Sequence, residues 1–203
     1  MSEDQQIVFV VDDDGDVRDS LVELISSINV HVNAYDSAIS FLNEFDLSAP
    51  GCILADVRMP GMSGIELQHK LSELNAPQPL IIMTGHGDIT MAVEAMKYGA
   101  FEFLQKPFRD QELLDCITKA LELDKTNRRL IEKQLAMQER VNCLTSRERE
   151  VIDKVIDGKA NKVIARELEI SDRTVEIHRS HAMEKLGIKS VAELVKVMLN
   201  IRS

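Results

Sequence analysis

The sequence has no long hydrophobic run and very little cysteine. Its longest aliphatic or aromatic runs, such as residues 7–11 and 80–83, fall far short of the roughly 20 residues that a membrane-spanning helix needs. The first residues, MSEDQQ, have no basic region, apolar stretch or small-residue cleavage site, so no signal peptide is predicted. We therefore expect a cytoplasmic protein without a membrane partner.

The three cysteines are Cys52, Cys116 and Cys143. Their odd number and their spacing argue against a disulfide framework and against a zinc site. We expect all three to be structural thiols.

The length of 203 residues suggests two small domains, and charge is divided unevenly along the chain. Residues 1–122 contain 21 acidic and 7 basic side chains, a net charge of −14, whereas residues 123–203 contain 13 acidic and 17 basic ones, a net charge of +4. Because the halves differ in sign, we expect them to bind different partners. The total of −10 therefore does not exclude a nucleic acid partner.

In the first half, short apolar runs rich in β-branched residues alternate with segments of helical periodicity. Residues 16–28 have apolar side chains at spacings of three and four, which is typical of one face of a helix. Alternating strands and helices predict an α/β fold with a parallel sheet covered on both faces. The predicted strands are residues 7–11, 30–34, 52–55, 80–83 and 101–104.

Capping signals mark further helices. Ser63 with Glu66 and Thr145 with Glu148 are predicted capping boxes. Predicted N-caps lie at Asp88, Asn161 and Ser171, the first of these for a helix that ends at Gly99.

The second half contains no strand-like run. Residues 123–141 are predicted to form a helical linker; their segment DKTNRR at 124–129 lacks apolar residues, so a two-stranded coiled coil is the less favoured alternative. The last 60 residues contain four capped helical segments, and the short turn at 169–171 between two of them predicts a helix-turn-helix. We therefore expect a small all-α domain of four helices.

Polar residues follow four of the predicted strands, and the carboxyl ends of strands are where open α/β sheets bind ligands. Clustered carboxylates require a cation, and hard oxygen ligands with room for water suit Mg²⁺. A lysine and a hydroxyl at the same edge suit a phosphoryl group, with a carboxylate as the nucleophile. The residues are Asp12, Asp13, Asp14, Asp56, Thr84 and Lys106.

The motifs VVDDD at 10–14, LADVRMPGMSG at 54–64, MTGHGD at 83–88 and KP at 106–107 resemble the receiver domain of bacterial two-component response regulators. The resemblance covers residues 5–122. It implies a flavodoxin-like (βα)5 doubly wound parallel sheet with strand order 2-1-3-4-5. It also implies phosphorylation by a sensor histidine kinase.

The resemblance implies roles for individual residues. Asp56 would be the phospho-acceptor, and Lys106 would pair with the phosphoryl oxygens. Thr84 and Phe103 would form a conformational switch, and the Lys106–Pro107 bond would be cis. No catalytic role falls on His86. Asp12 and Asp13 would form the acid pocket, and the ligands of Mg²⁺ (or Mn²⁺) would be Asp13, Asp56 and the backbone carbonyl of Arg58, with Asp12 acting mostly through water.

The motifs LTSRERE at 144–150, GKANKVIA at 158–165, ISDRTVEIH at 170–178 and KLG at 185–187 resemble the LuxR/NarL-type DNA-binding domain. This domain would span residues 142–203. With the receiver, it resembles the FixJ-like (StyR-like) branch of response regulators, which includes members with a long helical linker.

In this resemblance, residues 172–186 form a recognition helix that enters the major groove of promoter DNA. Glu176 can accept a hydrogen bond from cytosine N4, or it can pair along the helix with Arg173 or Arg179. The residues implied to face bases are Glu176, Ile177 and Ser180, and those nearer phosphates are Lys162, Thr174, His178, Arg179 and Lys185.

The sequence thus predicts a transcription regulator, not an enzyme beyond weak autodephosphorylation. It would form a homodimer on phosphorylation through the receiver face near residues 88–121 and would act on RNA polymerase. One alternative is a Mg²⁺-dependent phosphatase in which Asp12 is the nucleophile, and another is a receiver with a protein-binding or RNA-binding output. An EF-hand loop starting at Asp12 is disfavoured because Val17 stands where the sharp turn needs glycine.

Overall fold

The computed structural model describes residues 6–85 and 95–202, with side chains described as far as residue 198. Five parallel strands form one sheet in the order β2-β1-β3-β4-β5, which confirms the predicted fold class and strand order. The predicted His86 and Asp88 lie outside the described residues. The strands are β1 (Ile7–Val11), β2 (His31–Tyr35), β3 (Gly51–Asp56), β4 (Leu80–Thr84) and β5 (Glu102–Gln105).

Both faces of the sheet are buried. Successive side chains of a strand point to opposite faces, so Phe9 and Val11 join one apolar core while Val8 and Val10 join the other. Helices α2 (Ala38–Glu44) and α3 (Gly64–Glu73) contribute to the first core. The second core includes residues of helix α1 (Gly15–Ser26) and of helix α4 (Asp110–Asn142).

The chain divides into two compact units, residues 1–129 and 130–203. Helix α4 contains 33 residues and includes the whole segment 123–141 that was predicted to be a helical linker. The part of that segment up to residue 129 belongs to the first unit.

The second unit contains the four predicted short helices. They are α5 (Ser146–Ile156), α6 (Asn161–Leu168), α7 (Asp172–Leu186) and α8 (Val191–Arg202). Their apolar faces share one core that includes Val151, Ile164, Val175 and Leu194. This core makes the unit a packed all-α body rather than an extension of the sheet.

The capping predictions are confirmed at three positions and wrong at one. Ser63 and Thr145 form capping boxes, and Ser171 caps α7 by accepting from the Thr174 backbone N–H. Asn161 is not an N-cap, because α6 starts one residue earlier than expected and Ala160 takes the cap position without a side-chain hydrogen bond.

Among the described residues, no helix combines the length and the apolarity that crossing a membrane requires.

Candidate functional site

The ammonium group of Lys106 lies between two aspartates at the carboxyl edge of the sheet. Its Nζ atom is 2.8 Å from Asp12 Oδ2 and 2.6 Å from Asp56 Oδ1. Asp12 follows β1, Asp56 is the last residue of β3, and Lys106 follows β5. Strands β1 and β3 are direct neighbours in the sheet. The parallel sheet thus brings together three residues that are 94 and 50 positions apart in the chain.

Backbone contacts hold Lys106 in place. Its N–H donates to the carbonyl of Thr84, the last residue of β4, at 2.6 Å. The peptide bond between Lys106 and Pro107 is cis, as predicted. Burial lowers the pKa of Lys106, but its hydrogen bonds to Asp12 and Asp56 and their negative charges outweigh burial and raise the pKa above its ordinary value. Lys106 is therefore a fixed cation in this site.

The loop after β1 is held by its own polar groups. Asp12 Oδ1 accepts from the Asp14 N–H at 3.0 Å, and the Asp12 carbonyl accepts from Arg18 Nη1 at 2.7 Å. Asp14 caps α1 by accepting from the N–H groups of Asp16 and Val17. Asp14 is thus engaged in starting a helix that follows a strand, an arrangement unlike that of an EF-hand.

Asp56 is positioned by the turn that follows β3. Its Oδ2 accepts from the Arg58 N–H at 2.6 Å, and Gly64 N–H donates to the Val57 carbonyl at 2.9 Å. The backbone of Gly64 packs so closely that a Cβ there would lie 2.4 Å from the Asp56 carbonyl oxygen. Glycine at this position allows α3 to start directly beside the aspartate.

The other predicted residues of this edge lie at different depths. Thr84 is buried at the end of β4, and Phe103 is partly buried on β5. Ile82 pairs with Phe103 and Thr84 with Gln105, so Thr84 and Phe103 project from the same face of the sheet.

Asp13, which was predicted to be a metal ligand, is exposed. Within residues 6–85 and 95–198, no group of three carboxylate, imidazole or thiol side chains is arranged to hold a metal ion.

Helix α7 has a buried face and an outward face. Val175, Ala182 and Leu186 are fully buried in the core of the second unit. On a helix of 3.6 residues per turn, Ile177 and Ser180 then project away from that core. Ile177 is 45% exposed and therefore lies on the outward face.

The remaining residues predicted to contact DNA differ in their present partners. Glu176 and Lys162 are exposed. Thr174 Oγ1 lies 2.8 Å from Ser171 Oγ, and Arg179 Nη1 donates to Asn161 Oδ1 at 3.3 Å. His178 is half-buried. Within the described part of the chain, no ion pair joins Glu176 to Arg173 or Arg179.

Lys185 pairs with a carboxylate of its own unit. Its Nζ atom is 2.7 Å from Glu148 Oε2, and its side chain remains 38% exposed. The sequence pattern indicates Glu148 only as part of a capping box and gives no sign of its ion pair. Glu and Lys here are separated by 37 residues, so no local pattern could have indicated the contact.

Arg18 and Gly64 also contribute to the site, although neither was predicted from the sequence. No sequence pattern around Arg18 indicates its hydrogen bond to the Asp12 carbonyl, because that bond depends on the conformation of the loop after β1. Gly64 stands in the quoted motif after Asp56, and its close approach to the backbone is the physical reason for glycine there.

Comparisons with known proteins agree with both units. Residues 8–118 match the response regulator receiver domain, and residues 142–198 match the bacterial regulatory proteins of the luxR family. The response regulator protein TodT of Pseudomonas putida F1 is 42% identical over 197 residues, covering 97% of this chain and 87% of its own length. The transcriptional regulatory protein FixJ of Bradyrhizobium diazoefficiens is 42% identical over 192 residues, covering 95% and 94%. A solved structure of the response regulator StyR is 44% identical, has a TM-score of 0.86 and covers 97% of this chain and 99% of its own.

Proposed function

The chain belongs to the response regulators that join a receiver domain to a LuxR-type DNA-binding domain and act as transcriptional regulators, and from this premise we propose how its residues act. A receiver implies a histidine kinase as partner, and the second domain implies DNA binding. We assign residues 5–122 to the receiver, 123–141 to a helical linker and 142–203 to the DNA-binding domain. The acceptor of the phosphoryl group is Asp56.

The observation that carries this proposal is the position of Lys106 Nζ between Asp12 and Asp56. An oxygen of Asp56 attacks the phosphorus of a phosphohistidine; a P–O bond forms, and the P–N bond breaks. The histidine nitrogen leaves with the bonding electron pair. Lys106, already within hydrogen-bonding distance of Asp56, then pairs with an oxygen of the transferred group.

Accessibility favours Asp56 over Asp12 as the nucleophile. The side chain of Asp56 is 13% exposed, whereas that of Asp12 is 2% exposed. An incoming phosphoryl donor therefore reaches Asp56 more readily. This difference speaks against the alternative phosphatase, in which Asp12 would attack the substrate.

Receiver domains generally use Mg²⁺ for phosphorylation, and the carboxylate and carbonyl oxygens at this edge are the kind of donor that Mg²⁺ prefers. Asp12 and Asp56 already converge on one ammonium group. We propose that Asp13, Asp56 and the Arg58 carbonyl hold Mg²⁺ or Mn²⁺, with Asp12 acting mostly through water. When bound, the ion supplies positive charge that offsets the carboxylates and the phosphoryl oxygens.

The switch is assigned to Thr84 and Phe103. Because both side chains lie on one face of neighbouring strands, movement of the Thr84 hydroxyl toward a phosphoryl oxygen frees space toward which Phe103 can turn. This change favours a homodimer through the face near residues 88–121, part of which lies outside the described residues.

The dimer would place two copies of α7 in successive major grooves of promoter DNA. Base contacts are assigned to Glu176, Ile177 and Ser180, with Ile177 suited to a thymine methyl group. Phosphate contacts are assigned to Lys162, Thr174, His178, Arg179 and Lys185. Lys185 has three N–H donors and can donate to Glu148 and to a phosphate at the same time.

Bound at a promoter, the protein would act on RNA polymerase in the cytoplasm. Its only enzymatic activity would be weak autodephosphorylation.

Acetyl phosphate provides the test. With Mg²⁺ present, intact-mass spectrometry should show one phosphoryl group on the wild type and none on Asp56→Asn. Asp19→Asn, which removes an exposed aspartate of α1, should behave as the wild type. The phosphorylated wild type should form dimers and should bind a duplex, selected from a random pool, more tightly than the unphosphorylated protein does.

Two results would overturn the proposal. One is a phosphoryl group retained by Asp56→Asn, and the other is an equal gel-shift affinity with and without acetyl phosphate. The phosphatase alternative instead requires turnover of p-nitrophenyl phosphate that Asp12→Asn abolishes.

A further inference from the structure

An arginine near the end of α4 contacts the end of the recognition helix. Arg140 Nη1 donates to the carbonyl of Leu186, the last residue of α7, at 3.3 Å. The next residue, Gly187, is the C-cap and has left-handed backbone with φ of 69°. A Cβ at Gly187 would lie 2.8 Å from Arg140 Nη1, so glycine leaves the space that the guanidinium occupies.

The neighbouring residues of α4 and of the turn that follows it are built into the core of the second unit. Val141 and Leu144 are 3% and 8% exposed and pack with residues that include Leu186. The Val141 carbonyl accepts from Arg149 Nη2 at 3.0 Å. The backbone next to Arg140 is therefore anchored in the core of the second unit, and the contact of Arg140 with α7 adds to this packing.

The contact has a favourable electrostatic basis. The last carbonyl groups of a helix lack intrahelical partners and carry the negative end of the helix dipole. A guanidinium group there satisfies one carbonyl and neutralises part of that charge. The buried side chains of α7 fix which face turns inward, while Arg140 adds a polar contact at its C-terminal end.

We propose that Arg140 is a positioning residue for DNA recognition, an inference that rests on the proposed function of α7. By holding the C-terminal end of α7, Arg140 sets the angle at which Glu176, Ile177 and Ser180 meet the base edges. Base contacts need closely defined positions, whereas phosphate contacts supply affinity that is independent of sequence. Loss of Arg140 should therefore weaken specific binding more than non-specific binding.

The test uses the full-length phosphorylated protein and two duplexes. One is a duplex that the wild type selects from a random pool, and the other has the same composition in scrambled order. Arg140→Ala should lower affinity for the selected duplex at least about fivefold, the equivalent of one lost hydrogen bond of ordinary strength. It should leave the affinity for the scrambled duplex unchanged. Arg140→Lys, which can still donate to the Leu186 carbonyl, should restore most of the specific affinity.

Salt dependence separates positioning from direct contact with DNA. The slope of log affinity against log salt should be the same for Arg140→Ala and the wild type. A slope smaller by about 0.9 would mean that Arg140 itself neutralises a phosphate, and would overturn the proposal. The control is Arg129→Ala, which removes an exposed arginine of the same helix and should leave the ratio of specific to non-specific affinity unchanged.

Two further outcomes are informative. Equal specific affinity of wild type and Arg140→Ala would overturn the positioning role while leaving the proposed function intact. Failure of the phosphorylated wild type to select any duplex would instead overturn the proposed function. If Arg140→Ala does not fold, the folded variants Arg140→Lys and Arg140→Gln are compared instead. An equal loss of specific affinity in these two variants would contradict a role for the positive charge of Arg140.

Discussion

Lys185 Nζ lies 2.7 Å from Glu148 Oε2, and this ion pair joins α7 to the first turn of α5. The Glu148 side chain is 5% exposed, so its charge depends on protein partners. The same oxygen accepts from the Thr145 N–H at 2.8 Å. One carboxylate thus caps α5 and ties it to α7.

We expect Lys185→Met to weaken the second unit. The change leaves the Glu148 carboxylate buried without its cation, and the cost should be about 1–2 kcal/mol, reduced from that of a fully buried pair because Lys185 is partly exposed. Hydrogen-exchange protection of α5 and α7 in the full-length protein measures this loss. Lys189→Met, an exposed lysine nearby, should leave protection unchanged. Equal protection in both variants would show that the ion pair adds no stability.

Stability of the second unit should fall in acid because of Glu148. Burial raises the pKa of Glu148, but hydrogen bonds from Lys185 and Thr145 outweigh burial and lower the pKa from 4.5 to about 2. A carboxyl group with a lowered folded-state pKa contributes stability that is complete above its unfolded value and is lost as pH falls through the folded value. The contribution should disappear as the pH falls from 4.5 to about 2.

The diagnostic measurement compares wild type with Glu148→Gln across that pH range, again by hydrogen exchange of α5 and α7. The glutamine variant should be less stable than the wild type near neutral pH, and the difference should shrink as the pH falls. A difference that stays constant down to about pH 2 would mean that Glu148 does not titrate as its contacts indicate.

The sheet and the meeting of three charged side chains at its carboxyl edge were largely predictable because they depend on local patterns and one geometric rule. Apolar runs indicated the strands, and the shared carboxyl edge of parallel strands predicted that Asp12, Asp56 and Lys106 lie close together. Capping boxes such as Ser63 with Glu66 were equally accessible, since both partners lie within one helical turn.

Contacts between distant segments that do not meet at the shared carboxyl edge of the sheet were not predictable. Gly51 and Asp124 are 73 residues apart, and Arg140 and Leu186 are 46 apart, so no periodicity or spacing relates them. The failure at Asn161 has a similar origin. Its side chain accepts from Arg179 across the domain instead of capping its own helix, and a local rule does not include that competing partner.

Gly64→Ala should displace Asp56. The added Cβ would lie 2.4 Å from the Asp56 carbonyl oxygen, and backbone atoms on both sides of the contact cannot simply move aside. We expect a loss of about 2–4 kcal/mol in the stability of the first unit, together with slower labelling by acetyl phosphate. Gly15→Ala, whose Cβ would meet only the end of Arg18 at 3.7 Å, should be nearly neutral for stability. Normal stability and normal labelling of Gly64→Ala would contradict the packing argument.

Asp124 and Arg128 form a polar anchor between α4 and the start of β3. Asp124 is fully buried, and its Oδ2 accepts from the Gly51 N–H at 2.8 Å and from Arg128 Nε at 2.9 Å. Arg128 also donates to the carbonyls of Ser48 and Ala49. Burial raises the pKa of Asp124 above its ordinary value, even though the bonds from Arg128 and Gly51 lower it. The carboxylate is therefore stable only with its cation beside it.

A double-mutant cycle on this anchor should show strong coupling. Arg128→Met leaves a buried charge unpaired and should cost the first unit about 3 kcal/mol, whereas Asp124→Asn removes the charge and should cost less. The double variant should be less destabilised than the sum of the single variants by about 1–2 kcal/mol, because removing the carboxylate also removes the need for the arginine.

Both tyrosines, Tyr35 and Tyr98, lie in residues 1–129, so tyrosine fluorescence in urea follows the unfolding of this unit selectively. Arg129→Met serves as the neighbouring exposed control, and strictly additive losses in the cycle would show that Asp124 and Arg128 act independently.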